Sequence, residues 1–325
     1  MSLAIVISEA GGPEVLRPVE RTVGGPAAGE LRLLQTAVAV NFHDIYVRTG
    51  LYKTLTMPGV PGLEGVGVVD AVGAGVTGFA PGDHVAYMTH GYGGYAAERT
   101  LAADLAVKIP AGVPDEIAAA AYLKGLTVEM LVRRVHRLEA GETILVHAAA
   151  GSVGQLLVQW AVRLGATVIG TAGSDAKLEA ARAAGCAHVV NYRTGDFVAA
   201  VKDFTNGRGV DVVYDAIGRD TFRHSLDALA LCGHLVNYGQ ASGPVDPIAP
   251  VELFAKSATL SRPNVFHYVQ QQRETLEAAA ADLFQGLKEG WLSVSPPATF
   301  PLAQAADAHR LLESRAATGA IVLKP

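Results

Sequence analysis

The sequence predicts an α/β fold, a doubly wound parallel sheet joined to a second, mainly β unit, and three observations carry that expectation. Strand-like and helical segments alternate from about Asp115 onward, the arrangement of a sheet with helices on both faces. An apolar run at 143–147 leads straight into a glycine-bearing turn and then a helix. Before Asp115, short strand-like runs are separated by Gly and Pro, the pattern of a compact β unit.

The segment Met1 to Glu9 reads as an apolar strand with neither a cationic leader nor a small-residue cleavage pattern. Leu31 to Val40, Gly65 to Val72 and His84 to Ala86 follow as strands, parted by turns at Pro58-Gly59, Pro61-Gly62 and Pro81-Gly82-Asp83. Strands are then expected at 143–147, 167–171, 188–191, 210–214 and 234–238, with helices between them. Gln155 to Leu164 has helical period, with Leu157, Ala161 and Leu164 on one face. A longer helix is expected from Thr275 to Glu289 and a short one from Ala303 to Ser314. The closing strand, Gly319 to Lys324, is expected to return to the amino-terminal unit.

Composition narrows the function. The chain has 325 residues, half of them hydrophobic, enough for about two domains with a large core. A net charge of −5 without a basic stripe argues against nucleic acid or an anionic membrane as the main partner. No apolar run reaches the ~18 residues of a membrane span, so the expected location is the cytoplasm. Cys186 and Cys232 supply neither a disulfide framework nor a structural zinc lobe and read as small hydrophobes.

The turn after the first strand of the parallel sheet has the spacing Ala149-x-Gly151-x-x-Gly154. Gly151 lets the backbone approach a pyrophosphate, Gly154 lets helix pack on strand, and the helix start offers N–H groups to negative charge. An NAD-specific chain places an acid on the ribose about twenty residues further on. Here the second strand ends in Ala172-Gly173-Ser174-Asp175-Ala176-Lys177, and Asn191-Tyr192-Arg193 follows the third. Lys177 as a point charge, with donors from Ser174 and Tyr192, suits a dianionic 2′-phosphate, so the implied cofactor is NADPH. Asp175 is read as a first-turn complement to the helix dipole. A solvated helix lysine is the alternative reading of Lys177.

Several motifs together carry a resemblance: Gly11-Gly-Pro-Glu-Val-Leu16, Asn41-Phe-His-Asp-Ile-Tyr46 with Gly50-Leu-Tyr52, Lys124-Gly-Leu-Thr127, His147 to Gly154, Asn191-Tyr-Arg193, Val213-Tyr-Asp-Ala-Ile-Gly218 and Glu313 to Gly319. Over nearly its whole length the chain resembles the zinc-independent, zeta-crystallin-like NADPH:quinone oxidoreductases of the medium-chain dehydrogenase/reductase superfamily. The resemblance implies a GroES-like substrate domain over 1–122 and 266–325, a Rossmann domain over 123–265, and commonly a homodimer.

It also implies a site. Where zinc alcohol dehydrogenases of the superfamily carry a ligating cysteine and histidine, this chain is similar to them at Asn41 and Leu63, so no metal is expected; His43, His84 and His90 lack the spacing of a ligand set. Without a Lewis acid, hydride donation to an acceptor such as a quinone is the natural chemistry, needing alignment and donors for a developing oxyanion. Asn41, Tyr46, Tyr52, Lys124 and Thr127 are the catalytic candidates; the tyrosines can stack and donate to an acceptor, or only pack.

The implied cofactor contacts are Phe42, His43, Asp44, Ile45 and Tyr46 with Thr127 at the nicotinamide ribose, and Gly151, Ser152 and Val153 at the pyrophosphate. Gly173, Ser174, Lys177 and Tyr192 fall at the 2′-phosphate; Ile217, Gly239, Gln240, Ala241, Ser242, Pro263, Asn264, Val265 and Arg315 complete the set. Ser152 stands where a second glycine is usual and can add a donor or only tolerate the turn. Met130 stands where some relatives have a tyrosine, and Arg315 can pair with an oxyanion or only complement a helix dipole. Reduction of α,β-unsaturated aldehydes or ketones is the alternative within this class, and an RNA-binding or crystallin-like role the alternative outside it.

Overall fold

Extended apolar alternation in the first part of the chain becomes a set of antiparallel strands in the computed structural model, which describes residues 1–325. β1 (Ser2–Val6) and β2 (Arg17–Arg21) pair with each other, and β3 (Glu30–Val40), β4 (Glu64–Val72), β5 (His84–Met88), β6 (Glu98–Ala102) and β7 (Ala106–Lys108) form most of a second sheet. The chain then builds β8 (Thr143–Val146), β9 (Thr167–Ala172), β10 (His188–Asn191), β11 (Val210–Asp215), β12 (Leu229–Asn237) and β13 (Thr259–Ser261) before ending in β14 (Ala298–Pro301) and β15 (Ile321–Lys324). β15 does return to the first unit, pairing antiparallel with β3 from Ile321 opposite Val40. Leu31, Leu33, Val69, Val85, Tyr87 and Leu101 fill one face of that sheet. A buried polar group sits among them: the Gln35 amide donates to the carbonyls of Gly94 (2.9 Å) and Ala96 (2.5 Å) and accepts from the Tyr87 hydroxyl (2.5 Å), so burial leaves none of these groups unpaired.

The six strands β8 to β13 are all parallel, in the order β10-β9-β8-β11-β12-β13. Counted within the unit this is 3-2-1-4-5-6, the Rossmann order, and the direction of winding reverses between β8 and β11. Ligands of such sheets bind beyond the carboxyl ends of the strands at that reversal, here the turns following Val146 and Asp215. Leu145, Ile169, Val213 and Leu235, one from each central strand, are buried under Phe197, Val201 and Phe222, each worth about 1.5–3 kcal/mol of apolar burial.

The chain divides into two units, 1–123 with 272–288 and 294–325, and 124–271 with 289–293. These limits differ from the expected 1–122 with 266–325 and 123–265. Val265–Val269 packs on the π-helical turn Met130–Val135 of its own unit, and Ser293 is held by Gln159 (Ser293 N–H to Oε1, 2.7 Å) while Trp291 meets Trp160 edge to face. Tertiary contacts, not composition, place these segments.

Other differences are local. β13 was not expected, because a three-residue edge strand carries no period. β12 starts at Leu229, five residues ahead of the apolar run at 234–238, with a register shift opposite Val210–Val212. The segment after Asn41, for which no element is predicted, forms helix α1 (Phe42–Arg48).

Candidate active site

The turn after β8 is set by backbone sterics. Ala148 takes a left-handed φ of 52°, the chain reverses, and helix α2 (Asp115–Glu129) is followed along the sequence by α3 (Ser152–Arg163), which starts at this turn with Gly151 as its N-cap. A Cβ on Gly154 would lie 2.2 Å from the Ala148 carbonyl oxygen, so only glycine fits there. The Gln155 amide donates to Ala150 O at 2.8 Å and closes the loop. Ser152, Val153 and Gly154 are the first three residues of the helix, whose N–H groups have no intrahelical acceptor and favour an anion. Beneath them the fully buried His147 ring bridges Thr171 Oγ1 (2.8 Å) and Ser225 Oγ (3.0 Å), and burial lowers its pKa, so it stays neutral and ties β8 to its neighbours.

The end of β9 forms a second candidate surface. Helix α4 (Asp175–Ala184) follows, with Ser174 as its N-cap; the Ser174 hydroxyl makes no capping bond. A Cβ on Gly173 would meet the Tyr192 hydroxyl at 2.8 Å and Arg193 Nε at 3.4 Å, so both side chains lie against this glycine. Asp175, in the first turn as expected, accepts from the Asn191 amide at 2.9 Å. Lys177 lies one turn along the same half-exposed helix start.

Beyond β11, Asp215 organises the next loop. Its Oδ1 accepts the N–H groups of Ile217 (2.7 Å) and Gly218 (3.0 Å) and the Thr221 hydroxyl (3.0 Å). Ser242 donates to Ile217 O at 2.8 Å and accepts from Asp220 N–H at 3.0 Å, fastening the loop 239–242 to the loop after β11. A Cβ on Gly239 would stand 2.6 Å from Ala216 O, so the two loops touch backbone to backbone. Arg262 donates to Asn237 O, Asn237 Oδ1 and Gly239 O, and Asn264 caps helix 265–269 by accepting Phe266 N–H at 3.1 Å. Gln240 and Ala241 are half-buried at the loop tip, Pro263 and Val265 half-buried beside it in sequence, and Ile217 is buried. Lys124 is 3 % exposed and Thr127 half-buried on the later part of the helix 115–129; Met130, 1 % exposed, opens the π-helical turn. Turns of this kind interrupt helices at functional positions more often than elsewhere.

In the first unit, side chains rather than backbone shape the candidate site. Asn41 is the N-cap of α1, its N–H donating to Asp44 Oδ2 at 2.8 Å in a capping box. The Asn41 amide donates to Glu64 Oε1 at 2.8 Å, and Glu64 Oε2, on a residue 1 % exposed, accepts Leu123 N–H at 2.9 Å. Asp44 also accepts from the Tyr95 hydroxyl (3.2 Å), which lies 2.9 Å from His309 Nε2 on the late helix 305–313. Burial, then the Arg48 charge, lowers the His309 pKa to about 3, and Arg48 itself donates to both Glu313 oxygens, at 3.1 and 2.5 Å. Ile45 is buried, while Phe42, His43 and Tyr46 are half-buried and belong to an aromatic cluster. Tyr46 and Tyr52 meet edge to face at 5.2 Å, as do His43 and Tyr52. Arg315 follows helix 305–313 in a left-handed conformation (φ 56°) where glycine is usual.

The metal question turns on donors. Leu63 is buried and has no donor, Asn41 is engaged by Glu64, His84 pairs with Asp115 at 2.8 Å, and no group of three or more His, Cys, Asp or Glu side chains is placed to hold an ion. The residues present do not fit a zinc centre. Two residues of interest carry no role in the sequence reading. Arg193 was named only within a motif, although its neighbour Tyr192 and the turn after β10 point to it; Tyr92, in the glycine-rich run His90-Gly91-Tyr92-Gly93-Gly94, gave only its composition as a signal.

Comparison with known proteins agrees with this geometry. Residues 27–111 match the family model described as alcohol dehydrogenase GroES-like domain, and 152–285 that described as zinc-binding dehydrogenase. The chain is 42 % identical to a 2-haloacrylate reductase of Burkholderia sp, over all of this chain and 99 % of that one. It is 40 % identical to quinone oxidoreductase 1 of Escherichia coli strain K12 over the full length of both. The crystal structure of the Escherichia coli quinone oxidoreductase complexed with NADPH superposes with a TM-score of 0.97, at 40 % identity, over 99 % of this chain and all of that one. Full-length identity at this level, on a GroES-like unit and a Rossmann sheet, places the chain in the quinone oxidoreductase family of the medium-chain dehydrogenase/reductase superfamily.

Proposed function

We propose that this protein is a quinone oxidoreductase that takes its reducing equivalents from NADPH, by direct hydride transfer without a metal. The observation that carries the reading is the end of β9: a glycine with the Tyr192 hydroxyl and Arg193 against it, a serine hydroxyl unused by its helix, Lys177 within one turn, and Asp175 bonded to Asn191. These groups fit a 2′-phosphate, and the glycines at 151, 154, 173 and 239 let the surrounding loops and side chains pack closely, which shapes the turns for a dinucleotide. When bound, NADPH supplies the hydride from nicotinamide C4.

The chain's own residues bind and orient. Gly151, whose own N–H is held by Ala148 O, lets the pyrophosphate approach the backbone, and Ser152 and Val153 present N–H groups to it; Gly173, Ser174, Lys177, Tyr192 and Arg193 hold the 2′-phosphate. Phe42 to Tyr46 and Thr127 line the nicotinamide ribose, Met130 and Ile217 give apolar contact, and the segments 239–242 and 263–265 with Arg315 complete the binding set. Asn41, fixed by Glu64, keeps α1 in register, while Tyr46 and Tyr52 present a ring face and a hydroxyl to a flat acceptor. Lys124 stands as a charge for the developing oxyanion.

The reading extends to a homodimer: Val251 and Phe254, 72 % and 81 % exposed, lie on the turn 250–256 that leads into the edge strand β13, and Leu231 is 78 % exposed. No helix is long and apolar enough to cross a membrane, in keeping with a cytoplasmic enzyme acting on small molecules. A second reading, reduction of a conjugated double bond, is favoured by the relative that reduces 2-haloacrylate, an α,β-unsaturated acid. The deciding experiment compares kcat/KM for 1,4-benzoquinone, 9,10-phenanthrenequinone, 2-alkenals and a 2-haloacrylate, each with NADPH and NADH. The proposal requires quinones and NADPH to lead; higher kcat/KM for the alkenals or the haloacrylate replaces it with the second reading.

A further inference from the structure

Resting on that reading, we propose that Thr54, Tyr92 and His43 form a relay that carries the solvent proton consumed in each reduction to the oxygen of the acceptor. Reduction of a quinone to a hydroquinone takes one hydride, which brings two electrons and one hydrogen, and one proton, which neutralises the oxyanion left behind. The structure contains a hydroxyl–phenol–imidazole chain suited to deliver it. Thr54 is exposed, and its hydroxyl forms a short hydrogen bond with the hydroxyl of Tyr92, a residue 5 % exposed. The Tyr92 hydroxyl lies 3.1 Å from His43 Nε2. His43 Nδ1 hydrogen-bonds nothing in the protein and is not sealed from the surface, so it is open at the far end.

Two further features single this chain of groups out. Tyr92 has φ 57°, a left-handed conformation that is strained for an aromatic residue and persists only where neighbours impose it. Here Arg99 Nη1 holds the Tyr92 carbonyl at 2.9 Å, and Gly93 N–H donates to Val60 O at 2.9 Å, so the surrounding turn aims the phenol at His43. The imidazole is also kept neutral: burial, then the nearby His90, lowers its pKa to about 4, while Tyr92 is raised by burial and by Asp44 against the lowering effect of the Thr54 bond. A neutral ring with one N–H and one bare nitrogen passes a proton without holding charge.

The transfer balances. A solvent proton joins Thr54 Oγ1 as the Thr54 proton moves to Tyr92 Oη; the Tyr92 proton moves to His43 Nε2; and the Nδ1 proton leaves for the acceptor oxygen. Each group ends neutral, and His43 ends as the other tautomer, which reverts when the bonds turn over.

The test has a kinetic arm and a ligand-free arm. Single-turnover reduction of 1,4-benzoquinone by NADPH is followed in H2O/D2O mixtures for the wild type and for Thr54→Val, Thr54→Ser and Tyr92→Phe. The relay predicts a curved dependence on deuterium content in the wild type and in Thr54→Ser, from several protons moving together. Thr54→Val and Tyr92→Phe become linear, with the rate down roughly 10- to 100-fold and KM unchanged. Without ligand, 15N spectra of His43 should show the Nδ1–H tautomer in the wild type and a tautomer mixture in Tyr92→Phe. A linear wild-type dependence, unaltered variants or a wild-type Nε2–H tautomer overturns the relay while quinone turnover continues. Absence of NADPH-dependent quinone turnover in the wild type overturns the functional reading and the relay with it. Thr54 is exposed, so Thr54→Val tests the relay even if Tyr92→Phe does not fold.

Discussion

The two units shape their candidate sites by opposite means. In the parallel sheet, backbone shapes the candidate site: glycines at 151, 154 and 239 let main chain approach main chain, Gly173 admits the Tyr192 and Arg193 side chains, and helix starts present N–H groups. In the β unit, helix α1 is positioned by long-range side-chain bonds, Asn41 to Glu64, Tyr95 to Asp44 and His309, and Arg48 to Glu313 across 265 residues of sequence. The difference teaches where each site is vulnerable. A backbone site fails when a side chain is added, and a side-chain site fails when one is removed or changes charge.

Gly154→Ala is expected to break the first kind most severely. Its Cβ would press on the Ala148 carbonyl, which has no flexible side chain to yield, at a cost of about 1–3 kcal/mol in stability and with loss of NADPH binding. Urea unfolding and a fluorescence titration with NADPH measure both, and wild-type values would mean that the turn relaxes freely. Lys177→Ala comes next: KM for NADPH should rise about 10- to 100-fold, the equivalent of a ~1.5–3 kcal/mol charge-assisted contact, with KM for NADH unchanged. Equal effects on both cofactors would remove Lys177 from the 2′-phosphate.

The side-chain site should reveal itself through pH. Burial, then the Arg48 charge, holds His309 at a pKa of about 3 against the ordinary histidine value of 6.5, so below pH 6.5 the unfolded chain takes up a proton that the folded chain refuses. Stability contributed by neutral His309 is therefore complete above 6.5 and drains away as pH falls toward 3, on the order of 1.4 kcal/mol per pH unit. A pH series of melting temperatures should show this slope, and His309→Gln should flatten it; an unchanged slope would assign the acid sensitivity elsewhere. The smallest effect is expected from Tyr52→Phe, which keeps the ring against His43 and Tyr46 and should lower kcat less than about tenfold. A loss of about a thousandfold would make Tyr52 the proton donor in place of the relay.

The same contrast explains what could be read in advance. The turn at 149–154 and the end of β9 were legible because their constraints are local: residues close in sequence decide whether backbone can approach backbone. The nature of α1 was not. Asn41 to Tyr52 has too few residues for a helical period to emerge, and its capping box shows only once Asp44 is seen accepting Asn41 N–H. Tyr92 was missed because its importance lies in two partners, Thr54 and His43, reached 38 and 49 residues away. Edge strand β13 was missed because three residues carry no alternation.

By itself the sequence determined the fold class and the doubly wound sheet with its glycine turn, and it supplied the composition of the β9 ending on which the proposed phosphate contact rests, because periodicity, glycine and local composition act over short stretches of chain. Tertiary structure alone decided which side chains meet: Glu64 beneath Asn41, Arg193 against Gly173, the loops 215–218 and 239–243 fastened by Ser242, and the file of Thr54, Tyr92 and His43. Those contacts join residues distant along the chain, and their positions follow from packing, which no local pattern encodes.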